Sequence, residues 1–453
     1  MIKRKKKYRL ISMERHSYTL VLAGGGAKGA YQIGVWKALL EEGIHIGAVA
    51  GTSVGALNSA LVATGDFKKA ESLWKKITFS DIVAVPDRFC IDGNLDMSSS
   101  NIRKFIRYIF KSKGLVTRPL YKLIRSSIDE KKIRHRMHDF GIVTYSLTDM
   151  EPIHLFLDDI PKGKLPGFLL ASAAMPIFRT VKIDGKMLTD GGVSDNMPYE
   201  MMKQRGYKNI IAVNMSALGI SREPDTAGTN TIYIKNSLSL SNELDFQPES
   251  LRRSMEIGYL DTRKVFSHLC GTFYFLKQVN HLEKKICDKL MIFLKKNKIR
   301  FRSRSDAVSK KADAGILRQF LPDDMYLSRY PGISFLECAA RSLNIEQARE
   351  YTAEELAEEV KWAFKRIASH EEWKKMGCIL ARRIRNKRKS GRNYYALEEP
   401  LDYQTMALAL NKGPEYMIPD TVRILFPHAQ AARLFLYSYY HKPSAADKSK
   451  WKN

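Results

Sequence analysis

The sequence predicts an α/β domain with a mainly parallel central sheet in three α/β/α layers, followed by a mostly helical C-terminal region. Three observations carry this. Strand, glycine turn and helix follow one another twice between Ser17 and Gly65. Short buried-strand patterns then recur as far as Lys235. Beyond about residue 270 strand patterns and glycine turns thin out, and amphipathic helical spacing takes over.

Ser17–Ala23 reads as a buried strand, because Tyr18, Leu20, Val21 and Leu22 form a short apolar run that ends in glycines. From Ala30 to Glu42, Tyr31, Ile33, Val35, Trp36, Leu39 and Leu40 fall at helical spacing, and Gly43 stops the helix. Ile46–Ala50 is a second strand leading to a turn at Ser53, and Val54–Thr64 a second helix ending at Gly65. Residues 67–140 are helix-prone, basic and aromatic, as in Asn101–Phe110, and read as a helical insertion or cap. Strand signals return at Gly141–Leu147 and Ile153–Leu157. A hairpin is expected at Val181–Leu188, where Asp184-Gly185 is a strong turn pair. Asn209–Asn214 and Thr231–Lys235 complete the strands. The expected division is a basic leader (1–15), the α/β domain (16–270) and a helical accessory region (271–453), in which Glu354–Ile367 is a clear amphipathic helix. In that last region basic residues outnumber acidic ones 35 to 21.

A chain of 453 residues, 44% hydrophobic and 27% charged, has ample material for two or three globular domains. Its 75 Lys and Arg against 48 Asp and Glu, a net +27, imply an anionic partner, either nucleic acid or a negatively charged membrane. Charge alone does not choose between them. The run Arg382–Lys389 suits anionic headgroups, nucleic acid or simply a solvated face. Five scattered cysteines (Cys90, Cys270, Cys287, Cys338, Cys378) form no CxxC pair, so neither a zinc site nor a disulfide framework is expected, and a reducing cytoplasm is. No metal cluster or other cofactor is expected. Lys3–Arg9 is basic but no apolar segment follows it, so it reads as a solvated tail rather than a signal peptide, with Met13 a second candidate start. No run reaches the ~18 apolar residues of a membrane span.

Two glycine motifs carry chemistry. In the first, Gly24, Gly25, Gly26, Ala27, Lys28 and Gly29 stand between the first strand and first helix. Consecutive glycines permit positive φ angles, so successive N–H groups can face one concavity beside a helix N-terminus, a setting for an oxyanion. Gly24, Gly26 and Gly29 also satisfy GxGxxG, the dinucleotide fingerprint. That reading wants an acid ending the next strand, where this chain has Ala48–Gly51. Walker-type phosphate binding is disfavoured, since Lys28 precedes Gly29 and no Lys-Ser/Thr pair follows.

The second motif, Gly51-Thr52-Ser53-Val54-Gly55, matches the G-x-S-x-G nucleophile turn between an apolar strand and a helix. The bland rival has Ser53 merely capping that helix.

Together with Asp190-Gly191-Gly192, these blocks resemble, in order, the three signature blocks of the patatin-like phospholipase family. Ala171–Pro176 resembles the small-residue block that precedes the family's aspartate, and Asn196 and Pro198 fit the stretch after it. Asp245-Phe246 through Gly258-Tyr259 is similar to the helix that often closes such domains, so the resemblance covers about residues 16–270. It implies a Ser–Asp dyad without histidine. Ser53 would be nucleophile, Asp190 general base, and the backbone of Gly24–Gly29 the oxyanion hole. A free aspartate, pKa ~3.9, is a poor base at neutral pH, so the site must compensate. Asp184 and Asp195 are rival bases, Asp-Gly turns are commonly only structural, and His154 on a strand is the candidate for a classical triad.

The expected function is a phospholipase A or lysophospholipase-like acyl-ester hydrolase. It would be cytoplasmic, with the inner membrane face as a peripheral partner and nucleic acid disfavoured. Acyl transfer through the same acyl-enzyme, and nucleotide binding on Gly24–Gly29, are the alternatives. The segment 101–126 and the helix Ala429–Tyr440 are candidates either to cover the active site, to dip into a bilayer, or simply to pack in a core. Oligomeric state and headgroup have no signal.

Overall fold

Five strands that carry apolar residues on both faces lie side by side and parallel, as buried α/β strands do. In chain order the strands of the first half are β1 (Tyr18–Leu22), β2 (Ile46–Thr52), the two-residue pair β3 (Cys90–Ile91) and β4 (Asn94–Leu95), β5 (Asp139–Ser146), β6 (Glu151–Phe156), β7 (Val181–Ile183), β8 (Lys186–Asp190), β9 (Asn209–Asn214) and β10 (Asn230–Lys235). In this computed structural model the main sheet has the order β10-β9-β1-β2-β5-β8-β7, with β6 also paired to β5. β10, β9, β1, β2 and β5 run parallel; β6, β7 and β8 add antiparallel pairs. The structure describes residues 17–137, 139–220, 223–277, 279–296, 312–368 and 427–440. The leader 1–15, Arg382–Lys389 and Cys378 lie outside them.

The helices of this half are α1 (Ala30–Glu41), α2 (Val54–Thr64), α3 (Phe67–Lys76), α4 (Ser99–Lys111), α5 (Arg118–Ser127), α6 (Glu130–Arg136), α7 (Leu165–Ser172), α8 (Tyr199–Gln204) and α9 (Pro248–Val265). The chain divides into two compact units, Met1–Phe266 and Ser267–Asn453. Among the described residues no helix is long and apolar enough to cross a membrane.

Element ends shift from expectation where tertiary pairing extends a strand. β2 runs through Gly51 to Thr52 because both residues pair with β5, opposite Ile142 and Val143. β8 likewise continues to Asp190, which lies opposite Thr144. The expected hairpin turn is present, with Asp184 at φ 49° and Gly185 at φ 84°. Pro152 is tolerated in β6 because that strand has only one partner.

The register on β5 positions the site. Val143 pairs with Thr52 on one side and His154 on the other; Thr144 pairs with Asp190 and Ile153. β6 therefore occupies one edge of β5, while β2 and β8 share the opposite edge. One runs parallel and the other antiparallel, so their carboxyl ends meet head to head.

A buried polar chain ties this junction to the helices behind it. Asn58 on α2 donates to the Gly29 carbonyl (3.0 Å) and to Gln32 Oε1 (2.8 Å), and accepts from Trp74 Nε1 (2.9 Å). Gln32 in turn donates to the Ala23 carbonyl (2.7 Å).

The second unit has its own core. α10 (Asn280–Lys296), α11 (Ala312–Arg318), α12 (Pro331–Ser342), α13 (Ala353–Ala368) and α14 (Pro427–Tyr440) accompany a short parallel pair, β11 (Phe275–Leu276) and β12 (Glu350–Tyr351). Ile286, Leu290, Phe335, Leu336 and Phe435 are among its fully buried side chains. Of the readings open for Ala429–Tyr440, core packing is the observed one.

Asn58→Ala leaves the indole N–H of Trp74 and the amide oxygen of Gln32 without their partner. Each orphaned buried group costs about 1–3 kcal/mol. Chemical denaturation should therefore show a loss of about 2–6 kcal/mol; a loss below ~1 kcal/mol contradicts this role for the network.

Candidate active site

Ser53 sits between β2 and α2 at φ 56° and ψ −128°, backbone that costs a non-glycine residue ~1–3 kcal/mol. The surroundings hold it there. Its N–H donates to Ser172 Oγ (3.0 Å), which donates onward to the Val143 carbonyl (2.6 Å). Its carbonyl accepts from the N–H groups of Ala56 and Leu57 (2.9 and 3.2 Å). The two motif glycines are needed sterically. A Cβ on Gly55 would lie 2.1 Å from the Leu22 carbonyl oxygen, and one on Gly51 would lie 2.3 Å from the Gly55 carbonyl. Val54 is buried, and Thr52 Oγ1 donates to the Asp195 carbonyl (2.8 Å).

Asp190 faces Ser53, whose hydroxyl favours its carboxylate; Asp190 Oδ1 accepts the Gly192 N–H (2.8 Å), and its own N–H donates to the Ala174 carbonyl (2.9 Å). Gly191 packs its Cα so closely on Val143 that a Cβ would lie 2.5 Å from that residue's carbonyl oxygen. Ser53 is 6% exposed and Asp190 5%. Burial disfavours the carboxylate and pushes Asp190 up to about 6, against the smaller lowering effects of the Ser53 and Gly192 hydrogen bonds. The basicity that a free aspartate lacks is thus created by the same desolvation that hides it.

The loop Gly24–Gly29 wraps the other side of Ser53. A Cβ on Gly24 would lie 3.1 Å from Ser53 Cβ, and one on Gly29 2.5 Å from Val54 Cγ2. Not all of its N–H groups are available. Gly24 donates to the Asn196 carbonyl (3.0 Å), Ala27 to the Glu243 carbonyl (2.8 Å) and Lys28 to the Gly25 carbonyl (3.1 Å). The N–H groups of Gly25 and Gly26 meet no acceptor among the described residues. Gly26, at φ 55°, lines the cleft beside Ser53. Lys28 turns its ammonium to Glu243 (2.9 Å).

The rival bases lie elsewhere. Asp184 is at the exposed hairpin turn, paired with Lys164 (2.6 Å). His154 bonds Asp195 (3.0 Å), so the partner of each is the other rather than Ser53. Three contributors had no role assigned from sequence. Ser172 and Asn196 stand in quoted blocks whose individual roles sequence does not show, and Glu243 has no local signal at all.

An apolar cleft of about 740 Å³, its open mouth included, reaches Ser53. Leu57, Leu61, Leu120, Ile124, Phe178 and Phe246 are among its walls. Among the described residues no group of three His, Cys, Asp or Glu side chains is placed to hold a metal ion.

A serine on a strained strand-to-helix turn, with a buried aspartate and a glycine loop beside it, is the arrangement of the serine acyl-hydrolase class of site. Residues 20–203 match the family model described as patatin-like phospholipase. It is similar to lysophospholipase NTE1 of Chaetomium globosum, 32% identical over 206 residues, and to that of Eremothecium gossypii, 30% over 206 residues. These matches cover 45% and 44% of this chain but 12% of each relative, so the chain spans a small part of their length. Among solved structures, VipD from Legionella pneumophila matches with 15% identity and a TM-score of 0.35, over 95% of this chain and 93% of that one.

Asp190 titrates above its unfolded value, so the charged form costs stability that the protonated form does not. That contribution is intact below pH ~3.9 and is lost as pH rises through about 6. Asp190→Asn should therefore unfold at pH 8 at no lower denaturant concentration than wild type. A marked loss of stability at pH 8 argues that the charge is structurally required.

Proposed function

We propose that the chain is a lipid acyl-ester hydrolase of the phospholipase A or lysophospholipase kind, working through a Ser53–Asp190 dyad. The observation that carries it is an apolar cleft that reaches Ser53, on its strained turn, with the buried carboxyl of Asp190 beside it. The family match and the lysophospholipase names of its relatives support the same class.

As Ser53 Oγ attacks the ester carbonyl carbon, Asp190 takes its proton. The carbonyl oxygen becomes an oxyanion, for which the free N–H groups of Gly25 and Gly26 and the N-terminus of α2 are the donors. Collapse breaks the ester bond, and the leaving alcohol receives the proton from Asp190. Water then repeats the cycle on acyl-Ser53, with Asp190 again the base. A base with pKa about 6 is mostly ionised at neutral pH and still basic enough to accept the proton. The apolar walls suit an acyl chain. The chain's net charge of +27 suits an anionic membrane face in the cytoplasm as the place of work.

Ser53→Ala should abolish labelling by a fluorophosphonate and lower ester turnover by ~10⁴-fold or more, with Asp190→Asn close behind since the two act as a unit. Wild-type turnover should rise with pH through an inflection near 6. Labelling that survives Ser53→Ala sinks the assignment, and products formed with an added alcohol acceptor report transfer in place of hydrolysis.

A further inference from the structure

From Ser99 to Ile128 the chain carries eight basic residues and no acidic one. All eight (Arg103, Lys104, Arg107, Lys111, Lys113, Arg118, Lys122 and Arg125) are exposed, and none has an ion-pair partner among the described residues. This departs from the ordinary surface, where charges of both signs intermingle. The cations follow helical spacing. On α4, Arg103, Ile106, Arg107 and Phe110 form one outward stripe; on α5, Arg118, Tyr121, Lys122 and Arg125 form another. Ile106 is 48% exposed and Phe110 78%.

The opposite faces belong to the cleft. Leu120, Leu123 and Ile124 of α5 line it directly. α4 stands one aromatic layer back, with Phe105 against Phe79 (6.0 Å between centroids) and Phe79 against Phe246 of the cleft wall (6.4 Å). The connection between the two helices is stitched to the lip, as Leu115 donates to the Ile177 carbonyl and accepts from the Arg179 N–H (both 2.9 Å). The basic stripe on α5 is thus one helix diameter, ~10 Å, from the acyl cleft.

We infer that the outward faces of α4 and α5 are the docking surface for an anionic lipid bilayer, with Phe110 and Ile106 entering the headgroup layer while the cations hold its phosphates. This rests on the hydrolase reading and adds where the enzyme meets its aggregated substrate. Exposed Phe and Ile among cations mark an interfacial amphipathic helix, and a phosphate backbone would have no use for them. Each cation near such a surface contributes about a fivefold gain in partition.

The test uses the full chain and vesicles of phosphatidylcholine with or without phosphatidylglycerol. Sedimentation should show binding to the anionic vesicles only, weakened by salt. Arg103→Gln, Arg107→Gln and Lys111→Gln together should weaken it roughly a hundredfold, three cations at about fivefold each. Turnover of water-soluble p-nitrophenyl butyrate should stay at the wild-type value. Phe110→Ser alone should also lower binding, and Arg118→Gln, Lys122→Gln and Arg125→Gln provide an independent set should the first fail to fold. Unchanged vesicle binding in both triple variants overturns the inference. So does equal binding to neutral vesicles, or retention of duplex DNA that the same variants lose. Vesicle binding that the cap variants abolish, in a protein inert to the butyrate ester, would remove the hydrolase reading and leave the surface. Ester turnover without vesicle binding would do the reverse.

Discussion

Everything at the site depends on one edge of β5. β2 reaches Val143 from one direction and β8 reaches Thr144 from the other, so two chain segments end on adjacent residues. Each leaves the sheet there, with Ser53 on the turn after β2 and Asp190 as the last residue of β8. The ladder fixes their separation far more firmly than any loop could, because shifting either strand by one residue would reverse its side chains. Where both ladders stop, the Val143 carbonyl is taken up by Ser172, which also holds the Ser53 N–H. The same small set of hydrogen bonds thus closes the sheet and fixes the strained turn.

Burial then does two things at once. Apolar side chains line the cleft that reaches Ser53, and burial at the end of β8 raises Asp190. A wetter site would bind lipid less well and leave the aspartate a weaker base. Both reflect the exclusion of water. The helices that supply part of that exclusion turn their other faces outward as cations, so the cap separates an apolar interior from a basic exterior across one helix diameter.

Much of this was legible in the chain, unevenly. The Gly24–Gly29 and Gly51–Gly55 motifs are local, and strand, turn and helix are each encoded within a few residues. Asp190 was identifiable only through the family resemblance, since 137 positions separate it from Ser53 and Asp184 and Asp195 look equally plausible by composition. Which loop amides stay free was hidden altogether. That depends on carbonyls of Asn196 and Glu243, brought in from other parts of the domain. Asn58 carries no signal of its own within Val54–Thr64, and its role follows from Trp74 and Gln32 reaching it from neighbouring helices.

The sequence by itself determined the alternation of strands and helices, the strained serine turn and the concentration of positive charge, because each arises from sterics or composition over short spans. The tertiary structure decided which aspartate lies buried at the end of β8, that its pKa rises, and which amides of the six-residue loop have no acceptor among the described residues. Those are properties of distance and dielectric between segments far apart in the chain, and no local pattern encodes them.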